Sequence, residues 1–515
     1  MASPYPRNGR WYPTTTRLPY SLGCHACRRM KVKCDEEKPQ CGRCMKAGRV
    51  CPGYRDANQV VFRPMNAESI PKPKTSDLLR TQAALGTPDN SGGVLAGSVS
   101  FAPRLLTQPT EKWEMKAIAH FLYNYSLAPT KDSPGYLGFL SDLLCKEPRN
   151  RYLESGVLAA GYASLANITG LGHLERTAEK HYGETLRSIS MALRNPAEAS
   201  SDATLTAIVL LQMYEAINNS TLVPRDPHDR GLMALHGLSG NARSRTTTGE
   251  GLLQILHGRL HFNSVGGLYP VQIDAELDFE GLNFNPPQLE LWRLMRETSQ
   301  SCSKMRATIS DSSGTMLKSV IVDSLDRVYS VYLRLLRWQA AQSSICSYQS
   351  CKMFSRDDDT SHQGTFPYKY HLFKHVSHGA MWIGFWCTLI YALQTLIHAF
   401  SLPDVQQPFS QECHQSWDLS KRLRDAINEI CACVPYMMAE VDQLGLPMVG
   451  KEGKALGSFF LLRGLYVAIC VEELTTLQSH YILKALLRIA HVRGIKLALR
   501  PRGRWFARHG TTVEL

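Results

Sequence analysis

Acidic side chains are scarce at the start of this chain. Its first 55 residues hold three Asp and Glu against twelve Lys and Arg. That imbalance argues against an acidic, cation-collecting segment and favours a partner rich in negative charge. The leading stretch MASPYPRNGRWYPTTTRLPY also lacks an apolar h-region, so no secretory signal is read there. Nowhere does H-E-x-x-H, G-x-S-x-G or a strand–helix G-x-G-x-x-G occur, which leaves no positive sign of catalysis and an expectation of a non-enzyme. Alternating strand patterns with Asn-Gly or Asp-Gly turns are missing from residue 111 onward, which disfavours a β-rich body. Residues 56–110 sustain no a/d heptads, so they support no zipper.

Cysteine, by contrast, is concentrated. Six of the fifteen cysteines fall between 24 and 51, as Cys24, Cys27, Cys34, Cys41, Cys44 and Cys51. Their spacing is C-x2-C-x6-C-x6-C-x2-C-x6-C, an internal repeat in which CHACRRMKVKC and CGRCMKAGRVC start 17 residues apart. A C-x-x-C step sets two sulfurs on one turn, where they can share an ion. A disulfide scaffold would need an oxidising compartment. A one-zinc ribbon of Cys24, Cys27, Cys41 and Cys44 would leave Cys34 and Cys51 idle at matching positions. Two tetrahedral zincs need eight coordination places, so six thiolates suffice only if two bridge. The repeat nominates the first cysteine of each half, Cys24 and Cys41. Apart from the cysteines little can pack: Met30, Val32, Met45, Val50 and two alanines. Folding of this segment is therefore expected to depend on metal.

Charge names the partner class. With six thiolates and two zincs counted, residues 1–55 carry about +7, whereas the whole chain is +13 before any metal is added. A phosphate-binding surface on the small module is the expectation, and Arg28-Arg29-Met30-Lys31-Val32-Lys33 also suits nuclear import. The first helix carries Arg28, Arg29, Lys31 and Lys33; the second carries mainly Lys46 and Arg49. Lys31, mid-helix, can reach a base edge in the major groove, where Lys or Arg bonds guanine O6 and N7. Arg28, Arg29, Lys33, Arg43 and Lys46 are assigned to phosphates. Pro39 would stiffen the loop between the halves. His25 reads as a surface or phosphate-contacting group, since the thiolates already suffice.

The string GCHACRRMKVKCDEEKPQCGRCMKAGRVCPGYRD closely resembles the fungal binuclear zinc-cluster transcription factors. The resemblance implies that Cys24 and Cys41 bridge two zincs, that Lys31 reads a CGG-type triplet, and that Pro39 is the loop proline. Met30 departs from the pattern, because the residue before the reading lysine is often basic. A nuclear, sequence-specific DNA-binding protein is what this similarity implies.

The rest of the chain, 44% hydrophobic overall, is long enough for a large core. Residues 1–20 are expected to be disordered, 21–55 to form the zinc module, and 56–110, with six prolines and the run NSGGVLAGS, to be a linker. From 111 to 500 apolar residues recur at helical spacing. Examples are Ala117, Ile118, Phe121, Leu122 and Tyr125, then Leu153, Val157, Leu158 and Leu165, then Leu186, Ile189 and Leu193. Ser201 or Asp202 can cap a helix through Leu205, Ile208, Val209 and Leu211. Further apolar-rich segments lie near 317–340, 371–400, 417–443 and 455–499. The fold class is mainly α: a small zinc module, a linker and a large all-α domain. YASLANITG, EKHYGETLRSISMALRNP and SDATLTAIVLLQMYE resemble the helical regulatory domain of the same family, which implies control of activity. The basic tail after Leu499, RPRGRWFARHG, has no assignment beyond its charge.

Three strings invite other readings. Residues 379–400 hold no charged side chain over 22 residues, enough to span a membrane, yet Gln394 and His398 and the amphipathic neighbours favour a buried core helix. GLPMVGKE at 445–452 mimics a phosphate loop but puts Glu452 where Ser or Thr must ligate magnesium. IDAELDFEGLNFN at 273–285 has the composition of an activation segment, against a plain loop and helix start. Late cysteines such as Cys431 and Cys433 read as buried thiols. The resulting expectation is a nuclear RNA polymerase II regulator, zinc-dependent, binding double-stranded DNA and transcription machinery or coactivators, without a membrane. A homodimer through the larger domain or monomeric binding both stay open. Secondary-metabolite or nutrient genes are the expected targets. A corepressor scaffold binding nucleic acid without selecting sequence is the alternative.

Overall fold

A computed structural model describes residues 24–30, 32–35, 37, 40–49, 51–52, 112–130, 135–147, 150–218, 231, 246–265, 286–310, 317–342, 346–353, 366–402, 416–448 and 453–500. The chain divides into two units, residues 1–90 and 91–515. The expected disordered start, the linker at 56–110, the activation-like stretch 273–285, Pro39 and the basic tail lie outside the described residues.

The first unit contains two five-residue helices, α1 (His25–Arg29) and α2 (Gly42–Lys46). The second begins with α3 (Trp113–Tyr125), α4 (Leu140–Lys146), α5 (Arg151–Thr169) and α6 (Gly172–Ala192). The short α7 (Pro196–Ala199) and then α8 (Asp202–Asn218) follow. Polar caps set these boundaries. Asn150 Oδ1 accepts from the Leu153 amide at 3.2 Å and starts α5, which ends at Gly170 with φ of 72°. Ser201 Oγ accepts from the Thr204 amide at 3.1 Å and starts α8. Residues 156–166 of α5 are all buried, because α3, α6 and α8 pack around this one helix. Gly161 makes the closest approach: a Cβ there would lie 2.4 Å from the Ala117 carbonyl oxygen of α3.

Beyond these lie α9 (Thr247–Ser264), α10 (Pro286–Ser310), α11 (Leu317–Ala340), α12 (Val376–Phe400), α13 (Ser416–Met437), α14 (Ala455–Ile469) and α15 (Thr476–Val492). A 3-10 turn, Lys496–Leu499, closes the described chain. The uncharged α12 is the hub, touching α10, α11, α13 and α14. Its most apolar 18-residue window is 83% buried, so the protein itself surrounds the helix that is long enough to cross a membrane. Asn167 of α5 donates from Nδ2 to the Ile217 and Gly494 carbonyls, both at 2.8 Å, tying α8 and the chain's last described turn to the central helix. One continuous apolar core runs from Ala117 to Ala498.

The unit is mainly α, as expected, but not all-α. Tyr348–Lys352 (β1) and Lys369–Phe373 (β2) pair antiparallel, with Ser350 opposite His371. Residues 371–373 belong to β2, although the apolar segment 371–400 reads as one helix. Four of the five β2 residues are buried, so their side chains carry no alternation from which a strand could be told. His371 Nε2 and Lys369 Nζ each lie 2.6 Å from a carboxylate oxygen of Glu429 on α13, which pins the ribbon to that helix. Ser350 Oγ lies 3.0 Å from the other ring nitrogen of His371. Gly445 of the phosphate-loop mimic sits in a turn closed by Asp442, whose Oδ1 accepts from the Leu444 and Leu446 amides at 2.9 Å.

Candidate metal centre and nucleic-acid interface

The 17-residue sequence repeat is also a repeat of hydrogen bonds. Cys27 N–H donates to Cys24 Sγ at 3.4 Å, and Cys44 N–H to Cys41 Sγ at 3.3 Å. Met30 N–H reaches the Ala26 carbonyl and Ala47 N–H that of Arg43; Val32 N–H reaches Cys27 and Arg49 N–H reaches Cys44. Each half is thus one C-x-x-C turn, a single helical turn and a tight exit. In α2 that exit uses Gly48 at φ 62°, a left-handed conformation that glycine adopts without strain.

These two turns converge their sulfurs. Cys24, Cys27, Cys34 and Cys41 form one group and Cys24, Cys41, Cys44 and Cys51 another, with all ligand atoms in each within 4.8 Å of one another. The groups share Cys24 and Cys41, the pair nominated by the repeat. Cys24 Sγ lies 3.6 Å from Cys41 Sγ and 3.8 Å from Cys44 Sγ, and Cys27 Sγ lies 3.9 Å from Cys41 Sγ. A zinc tetrahedron with bonds of about 2.3 Å has sulfur–sulfur edges of about 3.8 Å, so the donor set and its spacing fit zinc. No disulfide joins any of the six, against the disulfide alternative. Cys34 and Cys51 complete the two groups, against the one-zinc ribbon.

Burial pushes the Cys27 and Cys41 thiols up to about 12, and the Cys41 sulfur beside Cys44 is the chief reason that thiol rises equally far. Without metal these sulfurs therefore keep their protons at neutral pH. Two divalent cations would replace the protons and neutralise the thiolates so formed. Apolar packing contributes little, because Met30 and Met45 are 51% and 56% exposed. Among the described residues of this unit the interior is sulfur, with Ala26 and Val32 only partly buried against it.

Residues 22–59 match the fungal Zn(2)-Cys(6) binuclear cluster domain. These residues are thus a fungal binuclear zinc-cluster domain. The zinc-cluster domain binds two zinc ions, and the two sulfur foursomes are the places that can hold them. An uncharacterized transcriptional regulatory protein of Schizosaccharomyces pombe is 47% identical over 64 residues, 11% of this chain and 12% of that protein. A cluster-specific transcription regulator of aspercryptin biosynthesis in Emericella nidulans is 59% identical over 32 residues, 6% of this chain and 5% of its own. Similarity extends beyond the zinc-cluster domain in the phomenoic acid biosynthesis cluster-specific transcriptional regulator of Leptosphaeria maculans. That protein is 24% identical over 233 residues, 43% of this chain and 42% of its own. The chain thus spans about a tenth of the first of these relatives and under half of the third. No solved structure matches it.

Around the zinc-cluster domain the predicted phosphate ligands fall in different places. Lys33, Arg43 and Lys46 are exposed, as is His25. Helix α1 stops at Arg29, so Lys33 follows the helix instead of lying on it, and Arg49 likewise follows α2. Arg28 and Arg29 belong to α1 by their backbone, while their side chains and all of Lys31 lie outside the described residues. Sequence reasoning missed Asp35. Its Oδ2 accepts from the Arg43 backbone amide at 2.7 Å, across eight residues. The only sequence signal was the position of DEE immediately after the third cysteine.

Proposed function

We propose that this chain is a nuclear, zinc-dependent regulator of transcription that binds double-stranded DNA and selects sequence. The observation that carries the reading is the pair of four-sulfur groups sharing Cys24 and Cys41, set in a strongly basic N-terminal segment. Cys24, Cys27, Cys34, Cys41, Cys44 and Cys51 would hold both zincs, which would in turn fix the two short helices. Lys31 then reads a CGG-like triplet in the major groove, while Arg28, Arg29, Lys33 and Lys46 neutralise phosphates and fix register. The helical unit governs activity or assembly. Similarity to regulators named for the biosynthesis of phomenoic acid and aspercryptin favours a secondary-metabolite gene set as target.

Selection from a random duplex pool by the full chain, with and without a zinc chelator, tests this. Enrichment of a CGG-like triplet that vanishes on chelation is expected, and single against paired triplets reports stoichiometry. A flat, salt-sensitive profile would instead identify the module as an electrostatic anchor on a corepressor scaffold.

A further inference from the structure

The acidic residues of the zinc unit are not dispersed among its basic ones. The three present in the first 55 positions are consecutive, Asp35, Glu36 and Glu37. Two of them converge on the start of α2: a Cβ added to Gly42 would lie 3.0 Å from Asp35 Oδ2 and 3.0 Å from Glu37 Oε2. A carboxylate at that end of a helix meets exposed backbone N–H groups, and the 2.7 Å bond from the Arg43 amide to Asp35 is of this charge-assisted kind. The Arg43 side chain turns back over the same junction, where Nη1 donates to the Lys33 carbonyl at 3.4 Å. Lys33 and Asp35 flank the ligand Cys34 of the first half, whereas Arg43 lies between the ligands Cys41 and Cys44 of the second. Two hydrogen bonds to one residue therefore bridge the two metal halves outside the sulfur shell.

We propose that Asp35 and Arg43 are positioning residues: they lock α2 onto the Lys33–Asp35 segment, so that the basic run 28–33 meets DNA at one fixed angle. The inference rests on the DNA-binding reading above and deepens it. It gives Arg43 a different task from the phosphate contact expected from its charge. It also makes an unusual prediction of sign. Deleting an anion from a DNA-binding surface ordinarily strengthens binding to every sequence, because less repulsion opposes the phosphates. If Asp35 positions the reading segment, deleting it weakens the preferred sequence while the others bind as well as before or better.

The test uses the full chain with Asp35→Ala, Asp35→Asn and Arg43→Ala. Each is titrated by fluorescence anisotropy against the duplex selected by the wild type and a shuffled duplex, and zinc content is measured by elemental analysis. Asp35→Ala is expected to keep two zincs and bind the shuffled duplex at least as tightly, but to lose about tenfold in preference, the scale of one charge-assisted hydrogen bond. Asp35→Asn keeps an acceptor oxygen and should recover most of that preference. Arg43→Ala should lose preference with an unchanged salt slope. Unaltered preference in Asp35→Ala, or loss of zinc from it, overturns the proposal. So does equal weakening on both duplexes by Arg43→Ala with a salt slope shallower by about 0.9, the mark of a phosphate ligand. A wild-type chain that selects no duplex removes the DNA-selective reading and this inference together, and is distinguished by that arm alone.

Discussion

The close approach of α3 to α5 allows one substitution to be worked out in both sign and size. Gly161→Ala places a methyl carbon 2.4 Å from the Ala117 carbonyl oxygen and 2.9 Å from its carbon. Carbon–oxygen contacts ordinarily begin at about 3.3 Å, so the helices must part by roughly 0.9 Å. Overpacking of this kind costs about 1–3 kcal/mol. Alanine returns about 1 kcal/mol in a helix interior by its higher propensity. The net expectation is a loss of up to about 2 kcal/mol. Gly183→Ala in α6 supplies the control, because a Cβ there meets nothing within 4 Å. That variant should gain about 0.4–1 kcal/mol from a less flexible unfolded chain. Urea unfolding followed by far-UV circular dichroism, whose signal comes mainly from the helical unit, compares the two in the full-length chain. A Gly161→Ala protein as stable as Gly183→Ala would refute the contact and with it the central place of α5.

Zinc loading should release protons at neutral pH, since burial and crowding hold the metal-free Cys27, Cys41 and Cys44 thiols protonated; affinity should fall steeply as pH drops. Calorimetry in buffers of different ionisation enthalpy counts those protons, and a count near zero would contradict the protonated apo state. Affinity for the selected duplex should drop on the order of a hundredfold between about 50 and 200 mM salt if four phosphates are engaged. Lys31→Ala should cost about 1–3 kcal/mol and relax base choice; lower affinity with undiminished discrimination would end its assignment as a base reader. Burial alone would raise the Glu429 carboxyl, but hydrogen bonds from His371 and Lys369 outweigh it and hold the group below its ordinary 4.5. A depressed carboxylate adds stability that is present above its unfolded pKa and lost as pH falls through the folded one. Glu429→Gln should therefore be less stable at pH 7 and show a flatter stability profile below about pH 4.5. An unchanged acid-unfolding curve would deny the ribbon its anchor.

The sulfur framework was legible because metal chemistry demands fixed residue types at fixed steps, and the 17-residue repeat singled out Cys24 and Cys41. Helices with plain apolar stripes were legible too: α3, α5 and α11 lie where the spacing places them, and Ser201 caps α8 as its position suggests. Residues whose surroundings are tertiary were not. In α9 the buried inner positions include His257 and His261, stacked on Trp292 of α10, so the stripe that would announce a helix is broken by polar letters. β1 reads YQSCK, a mostly exposed strand that has no apolar alternation and is held by its partner. The Asp35–Arg43 bond joins residues eight apart with no periodicity to suggest it. Met30 and Met45 looked like the module's packing and turned out to be surface.

Helix α12 has a consequence for how the chain is made. It is apolar on nearly every side, and of the helices that cover it α13 and α14 come later in the sequence, ending at Ile469. A ribosome adding roughly 5–20 residues per second needs several seconds to pass from Phe400 to Ile469. For that interval a 25-residue oily rod stands only partly sheathed. Ribosome profiling of holdase-bound nascent chains is expected to show engagement in this interval, and none there would refute the delay. Truncations after α12 should be cleared by quality control instead of accumulating as shortened regulators.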